Sequence, residues 1–334
     1  MARQWTAEEV LNLARAFQGA CVLTAAADLD VFSVLAARRM TAAALAAKLR
    51  SNARATATLL DALTAMGLLD KRGASYSLAP GVAEALSQSS STNVLAMTRH
   101  SGTCLRRWAQ LATVVKTGRP AEGYRSIRDE AADREAFIGA MDNVSAPVAP
   151  GLIAQLGPPR FRHLLDVGGG PATWTLAFLR AVPGATATLF DLPPVIPLAR
   201  RRIAAAGMLD HVRLVAGDYT RDKLPRGADL AWVSAIVHQE SAKGMQALFR
   251  KVFAALEPGG QILIRDLVMA PSRTQPPMGA LFAVNMLVAT EAGGTYTFRE
   301  LADALRAAGF VKPRLVHKAD DMSAVVGAVK PRTR

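Results

Sequence analysis

Between residues 163 and 267 one pattern recurs five times: a short apolar run, then a helical stretch bounded by turn residues. The runs span 163–167, 185–191, 212–218, 229–237 and 261–267. Parallel strands need a crossover of about a dozen residues or more, usually a helix, so the alternation predicts a parallel sheet with helices on both faces. Two further runs, 314–316 and 323–329, are joined only by a short link around Asp320 and Asp321. That link is too short for a crossover, so these two pair antiparallel. The segment 158–334 is therefore read as a Rossmann-like α/β domain with a seven-stranded, mostly parallel sheet ending in an antiparallel hairpin.

The chain before residue 90 has a different texture. Leu11, Ala14, Phe17, Cys21 and Ala25 keep helical spacing, and Val31, Phe32, Val34 and Leu35 form a second run. Thr41 is a good N-cap for a helix over 42–49, and Ser51 for the helix after it. Leu59, Leu60, Leu63 and Met66 share one face of that next helix, and Gly67 stops it. Leu68, Leu69 and Asp70, a turn over 71–74 and an alternating run over 75–78 complete a helix–turn–helix with a two-stranded wing. Residues 1–90 thus read as a winged-helix domain. Residues 91–157 read as a helical linker, helical from Val94 to about Gly123 and from Arg134 to Leu156. Gly157, Pro158 and Pro159 mark the next boundary.

Composition removes several classes. Half of the 334 residues are apolar, ample for a large core, and the net charge of +13 raises a nucleic-acid partner. The basic residues are scattered, however, as in Arg38-Arg39, Arg106-Arg107 and the run at Arg200, Arg201 and Arg202. The would-be recognition helix between Ser51 and Met66 has only Arg54 and Asp61 as charged residues. A DNA reader presents Arg, Lys, Asn or Gln to the groove, so a winged-helix regulator is disfavoured and no nucleic-acid partner is expected. No uncharged apolar stretch reaches about 18 residues, so no membrane association is expected. The polar start with Glu8 and Glu9 is unlike a secretory signal. Cys21 and Cys104 have no metal-ligand spacing, so no metal site and a reducing, cytoplasmic compartment are expected.

The chemistry concentrates at Leu165-Asp166-Val167-Gly168-Gly169-Gly170, a strand running into three glycines and then a helix starting near Pro171. Glycines let backbone amides approach a ligand, and a helix N-terminus favours negative charge. Asp191 ends the next strand about 20 residues on, where a carboxylate meets the ribose hydroxyls of an adenosine cofactor. Asp218, in Gly217-Asp218-Tyr219, ends the third strand and is placed for an adenine amino group. A nicotinamide dinucleotide site shares the first features. Gly168-Gly169-Gly170-Pro171-Ala172-Thr173 lacks the last glycine of that pattern, and the terminal antiparallel pair also favours a methyltransferase.

On these residues the chain resembles the small-molecule O-methyltransferase family of plant and bacterial type, which includes caffeate, acetylserotonin and polyketide-tailoring enzymes. The likeness runs nearly the whole length. It takes in the winged-helix segment, the Asp166-to-Gly170 loop, Asp191-Leu192-Pro193, Gly217-Asp218 and Leu256-Glu257-Pro258-Gly259-Gly260. It implies S-adenosylmethionine as cofactor and S-adenosylhomocysteine as product, held by Asp166, Gly168, Gly170, Asp191, Leu192, Asp218, Tyr219 and Ser145. It implies a homodimer through the N-terminal domain, which lends a wall to the partner's substrate pocket. The implied reaction is methyl transfer to a hydroxyl, phenolic in kind, of a small secondary-metabolite-like acceptor.

The family carries its general base in a Leu-His-Asp-Trp type sequence. Here Ile236-Val237-His238 retains the histidine, while Gln239 and Glu240 depart from the usual Asp-Trp. Ligands of open α/β sheets lie beyond the carboxyl ends of the strands, so His238 faces the cofactor. Asp266 stands where the family has an acid, usually Glu, that orients the histidine. A carboxylate there fixes the tautomer and favours the imidazolium. Family members with phenol substrates often have a second acid after the glycine pair. Gly293-Gly294-Thr295 lacks it, and Glu291 is the nearby substitute. Phe137, Met141 and Ser145 keep the spacing of a family substrate element, and Met286 matches a second pocket methionine. The altered surroundings of His238 keep one alternative open: the same fold and cofactor with carbon or nitrogen methylation, or cofactor-supported hydroxylation or decarboxylation. His100, His163, His211 and His317 are read as lying in loops or away from strand ends, outside the site.

Overall fold

The computed structural model describes residues 4–123, 126–157 and 160–332. Pro158 and Pro159, two of the three boundary residues, lie outside the described residues. The chain divides into two compact units, residues 1–109 with 122–143, and residues 110–121 with 144–334. The segment 91–157, expected as a separate linker, is thus divided between them.

The first unit opens with α1 (Ala7–Arg15), α2 (Phe17–Asp28) and α3 (Val31–Ala37), then β1 (Met40–Thr41), α4 (Ala42–Leu49) and α5 (Ala53–Ala65). β2 (Leu69–Arg72) and β3 (Ser75–Leu78) form the hairpin, followed by α6 (Val82–Leu86) and α7 (Leu95–Trp108). Thr41 caps α4 by accepting from Ala44 N. The cap of α5 is Asn52, not Ser51: Asn52 Oδ1 accepts from Ala55 N at 3.0 Å, while Ser51 Oγ bonds the Thr56 hydroxyl at 2.7 Å. The wing has three strands rather than two, because β1 pairs antiparallel with β3. Phe32, Leu45, Leu60, Leu63 and Tyr76 form the core of this unit. Residues Ala7–Asp28 span 22 residues and hold an 18-residue window of mean hydropathy 1.3, long and apolar enough by length and composition to cross a membrane. Its second half is also a core helix, burying Thr24, Ala26 and Ala27.

Next come α8 (Leu111–Thr117), which belongs to the second unit, and α9 (Glu130–Ser145), which lies in the first save for Val144 and Ser145. The second unit continues with α10 (Ala149–Gln155), β4 (His163–Val167), α11 (Thr173–Ala181), β5 (Thr186–Asp191), α12 (Ile196–Ala205), β6 (Val212–Ala216) and β7 (Ala228–Ser234). Then follow α13 (Ala242–Ala255), β8 (Leu256–Arg265), β9 (Val268–Met269), α14 (Pro277–Ala289) and β10 (Tyr296–Thr297). The unit closes with α15 (Phe298–Ala307), β11 (Val311–His317) and β12 (Val325–Val329). Seven strands form one sheet in the order β11-β12-β8-β7-β4-β5-β6, with β12 antiparallel to both its neighbours and the rest parallel. Strands covered on both faces must be apolar on both. Leu164, Leu165 and Val167 of β4 meet that demand, one face joining Trp174 and Trp232 and the other Phe249 and Ile264. The edge strand β11 carries Lys312, Pro313 and Arg314, residues that discourage further strand addition.

Register fixes what meets at the carboxyl rim. Val167 of β4 pairs with Val233 of β7, Ser234 with Arg265 of β8, Arg265 with Val325, and Val325 with His317. Gly168, Ser234, Arg265 and His317 therefore stand along one row of the sheet. His317 thus closes a strand, contrary to the expectation that it lies away from strand ends.

Candidate active site

The glycine loop follows β4. Gly168 has φ +66° and a Cβ there would run into Ile236 Cδ1, while a Cβ on Gly169 would stand 2.6 Å from Leu189 Cγ. Gly170, at φ +53°, has open space where a side chain would be. Ala172 is left-handed at φ 63°, so the following helix starts at Thr173 rather than at Pro171. Asp191 is bound into this loop. Its Oδ2 accepts from Gly170 N at 2.7 Å and its Oδ1 from Leu192 N at 2.7 Å. Burial raises the Asp191 pKa, with the two backbone N–H groups acting the other way. Leu192 is 47% exposed and offers an apolar surface beside that carboxylate.

Asp166 is buried within β4 and accepts from Thr175 Oγ1 at 2.5 Å. Burial pushes its pKa up to about 7, helped by Asp191 and opposed by the Thr175 hydrogen bond. β6 ends at Ala216, so Asp218 lies two residues past the strand. It forms a turn of its own: Oδ1 accepts from Thr220 N at 2.8 Å and Thr220 Oγ1 at 2.7 Å, which lowers its pKa. The Tyr219 hydroxyl donates to Glu240 Oε1 at 3.0 Å, and Tyr296 donates to the Glu240 carbonyl.

β7 ends at Ser234, and His238 sits beyond it in a short 3₁₀ turn, Val237–Gln239. Asp266, one residue past β8, meets it. His238 Nδ1 lies 2.9 Å from Oδ1 and 3.0 Å from Oδ2, and the His238 backbone N–H donates to Oδ2 at 3.3 Å. Both residues are buried. An ionised carboxylate only accepts, so this contact puts the ring proton on Nδ1 and makes Nε2 the basic nitrogen. Phe282 of α14 packs edge-on to the imidazole, ring centroids 4.8 Å apart. Met286 is four residues on, on the same helix face, and is buried. The segment after α14 presses on the His238 backbone: Gly294 N donates to the His238 carbonyl at 2.8 Å, and a Cβ on Gly293 would stand 2.5 Å from that oxygen. Thr295 is buried and Glu291 exposed, with no described hydrogen bond bringing Glu291 to His238.

The other residues expected from the sequence fall on both sides of the division between the units. Phe137 and Met141 belong to the first, where Phe137 packs edge-on to His100 at 5.1 Å, and Ser145 is buried in the second. His163 is structural. Its ring nitrogens meet the hydroxyls of Thr186 and Thr188 at 2.7 and 2.8 Å. A hollow of about 410 Å³ over the face of β8, β11 and β12 is lined by none of the site residues. Three features went unread in the sequence: Phe282 against His238, the Tyr219–Glu240 bond, and the buried Arg265. Only the apolar run of α14 hinted at the first.

This rim fits an adenosyl cofactor on its own geometry. The loop is open at Gly170 and closed to side chains at Gly168 and Gly169, and the carboxylate of Asp191 stands at its mouth beside an exposed leucine. Comparison with known proteins agrees. Residues 108–311 match the O-methyltransferase domain family and residues 11–89 the O-methyltransferase dimerisation domain. The chain is 31% identical over 331 residues to the tetracenomycin polyketide synthesis 8-O-methyl transferase of Streptomyces glaucescens, covering 97% of each. It is 32% identical over 321 residues to the 3-hydroxy-5-methyl-1-naphthoate 3-O-methyltransferase of Streptomyces sahachiroi, covering 92% of this chain and 91% of that one. The crystal structure of human N-acetylserotonin methyltransferase in complex with S-adenosylmethionine is similar with a TM-score of 0.81 at 26% identity, over 99% of this chain and 100% of that one. The chain belongs to the O-methyltransferase family and is an S-adenosylmethionine-dependent O-methyltransferase that carries the family's dimerisation domain.

Proposed function

We propose that this enzyme methylates a phenolic hydroxyl of a small aromatic, secondary-metabolite-like acceptor, with His238 as general base and Asp266 as the residue that positions it. One observation carries the reading: the bidentate contact of Asp266 with His238 Nδ1 at 2.9 and 3.0 Å, in a buried place at the carboxyl rim of the sheet. The two bacterial relatives, named for a polyketide 8-O-methylation and a hydroxynaphthoate 3-O-methylation, support an aromatic hydroxyl as the acceptor. In this reading Asp191 receives the ribose hydroxyls, and Leu192, Asp218 and Tyr219 border the adenine. Asp166, Gly168, Gly170 and Ser145 complete the cofactor site, and Met286 lines the acceptor pocket. Two copies assemble through the N-terminal unit.

When bound, the cofactor supplies a sulfonium-activated methyl group. His238 accepts the acceptor's proton at Nε2, and Asp266 stabilises the imidazolium by holding its Nδ1–H. A phenol with pKa near 10 and an imidazole near 6.5 are mismatched by about 5 kcal/mol for complete proton transfer beforehand. Proton removal is therefore concurrent with attack. Phe282 sets the ring plane and helps keep water from the imidazole.

His238→Ala tests the assignment. Turnover of a phenolic acceptor falls by about 10²–10⁴, the usual contribution of a positioned base, while calorimetric affinity for S-adenosylhomocysteine stays within about threefold, roughly 0.65 kcal/mol. Methylation at the wild-type rate rejects His238 as the base.

A further inference from the structure

Arg265 closes β8 on the sheet face packed by α11 and is 4% exposed. Its Nη1 donates to Ser234 Oγ at 3.2 Å, and the guanidinium lies 4.7 Å over the Trp174 ring. Nε is buried with no hydrogen-bond partner among the described residues. The adjoining Asp266 does not supply one. Its Oδ1 accepts from His238 Nδ1 and Leu267 N, and its Oδ2 from Nδ1 and the backbone N–H of His238. Among the described residues of the second unit, no other lysine or arginine is buried. Burial lowers the Arg265 pKa to about 10, with the charges of Asp266 and Asp321 acting the other way, so it remains a cation at neutral pH; neither carboxylate hydrogen-bonds the guanidinium among the described residues. A buried cation with an orphan donor is destabilising unless an anion meets it.

The place of this cation narrows the choice of anion. Arg265 is in register with Ser234, next to the Val233–Val167 pair that leads into Gly168. Two strand spacings, about 10 Å, separate its backbone from the glycine loop. Trp174, over which it lies, belongs to the helix that the loop opens into. The other charged groups of this rim, Asp191, Asp218, Asp266 and Asp321, are acids, while burial holds the proton on Asp166 up to about pH 7. They suit the hydroxyls and the amino group of the cofactor and repel its one carboxylate. We propose that Arg265 binds the carboxylate at the amino-acid end of S-adenosylmethionine, with Ser234 and Trp174 as the positioning residues that hold the guanidinium.

Calorimetry with two ligands tests this: S-adenosylhomocysteine, and S-adenosyl-3-thiopropylamine, the same molecule without the carboxylate. The wild type binds the first about 30-fold more tightly, equivalent to about 2 kcal/mol for hydrogen bonds to a charged group. Arg265→Met brings the two within about threefold, roughly 0.65 kcal/mol, through loss of affinity for S-adenosylhomocysteine alone. Arg265→Lys falls between, since it keeps the charge and loses the fork. Equal weakening of both ligands by Arg265→Met means that the arginine only packs on Trp174, and the proposal fails. Should that variant not fold, the wild type still decides: equal affinity for the two ligands overturns the proposal, and Ser234→Ala in a supported case reduces the preference severalfold.

Discussion

The hydroxyl of Tyr219 donates to Glu240 Oε1 at 3.0 Å, tying the residue after Asp218 to the second residue past His238. Burial and the Glu240 carboxylate both hold the Tyr219 pKa well above its ordinary value. Gly244, in the first turn of α13, makes the contact possible, because a Cβ there would collide with Glu240 Oε2.

Removing that bond is a local stability change. Tyr219→Phe costs about 1 kcal/mol in urea unfolding, and Glu240→Gln, which keeps an acceptor, costs less than Glu240→Ala. Gly244→Ala sets two effects against each other. Helix propensity favours alanine by about 1 kcal/mol, while the collision dislodges the carboxylate. The clashing atom is the free end of a flexible side chain, so the carboxylate moves aside at the cost of the Tyr219 bond, about 1 kcal/mol, and the unfolding midpoint stays close to that of the wild type. A rise in midpoint by the full propensity gain contradicts this account of Glu240.

Gly168→Ala strains the chain twice, through a left-handed φ of +66° and the clash with Ile236. Left-handed backbone alone costs about 1–2 kcal/mol for a non-glycine residue. Affinity for S-adenosylhomocysteine falls at least about tenfold, or 1.4 kcal/mol. Adding Ile236→Ala recovers part of the loss, because it relieves the clash and leaves the φ penalty. Full recovery in the double variant shows that backbone conformation contributes nothing.

Asp166 makes stability depend on pH in the direction opposite to a salt-bridged acid. Its folded pKa of about 7 lies above the ordinary value of 3.8, so the native state holds the proton more tightly than the unfolded chain. The resulting stabilisation is complete below the unfolded pKa and is lost as pH rises through the folded one. Asp166→Asn therefore flattens the dependence of Tm on pH between about 4 and 7. A slope in that window unchanged from the wild type excludes Asp166 as its source.

Asp266→Asn keeps an oxygen near His238 and removes the charge. Turnover falls by about 10²–10⁴ with acceptors of phenol pKa near 10. The loss shrinks with nitrophenol-type acceptors, which part with their proton without a strong base. An equal loss across the acceptor series shows that Asp266 acts through folding and not through His238.

Much of this was readable in advance, for identifiable reasons. The run 163–167 coincides with β4 because a strand covered on both faces has no choice but to be apolar. Thr41 was readable as a cap because its hydroxyl satisfies a donor only three residues away. Errors gathered where competing partners were equally near. Ser51 lost the cap to Asn52 through its bond to Thr56, and the ends of β6 and β7 fell short of Asp218 and His238 where the chain curls into turns.

Strand periodicity and the glycine run were enough to determine the sheet, its antiparallel end and the glycine loop at its rim. Each of these depends on residues that interact with near neighbours or on one buried face. The resemblance pairs His238 with Asp266, but the geometry of that contact and the other side-chain meetings across the rim were decided only by tertiary structure. His238 and Asp266 stand 28 residues apart, Tyr219 and Glu240 21, and Ser234 and Arg265 31. The strand order β8-β7-β4 and its register bring the first and last pairs together. Burial does the rest, turning Arg265 from one basic residue among 40 into an enclosed cation at the rim that holds the glycine loop. Dielectric environment is a property of what surrounds a group, and linear order does not contain it.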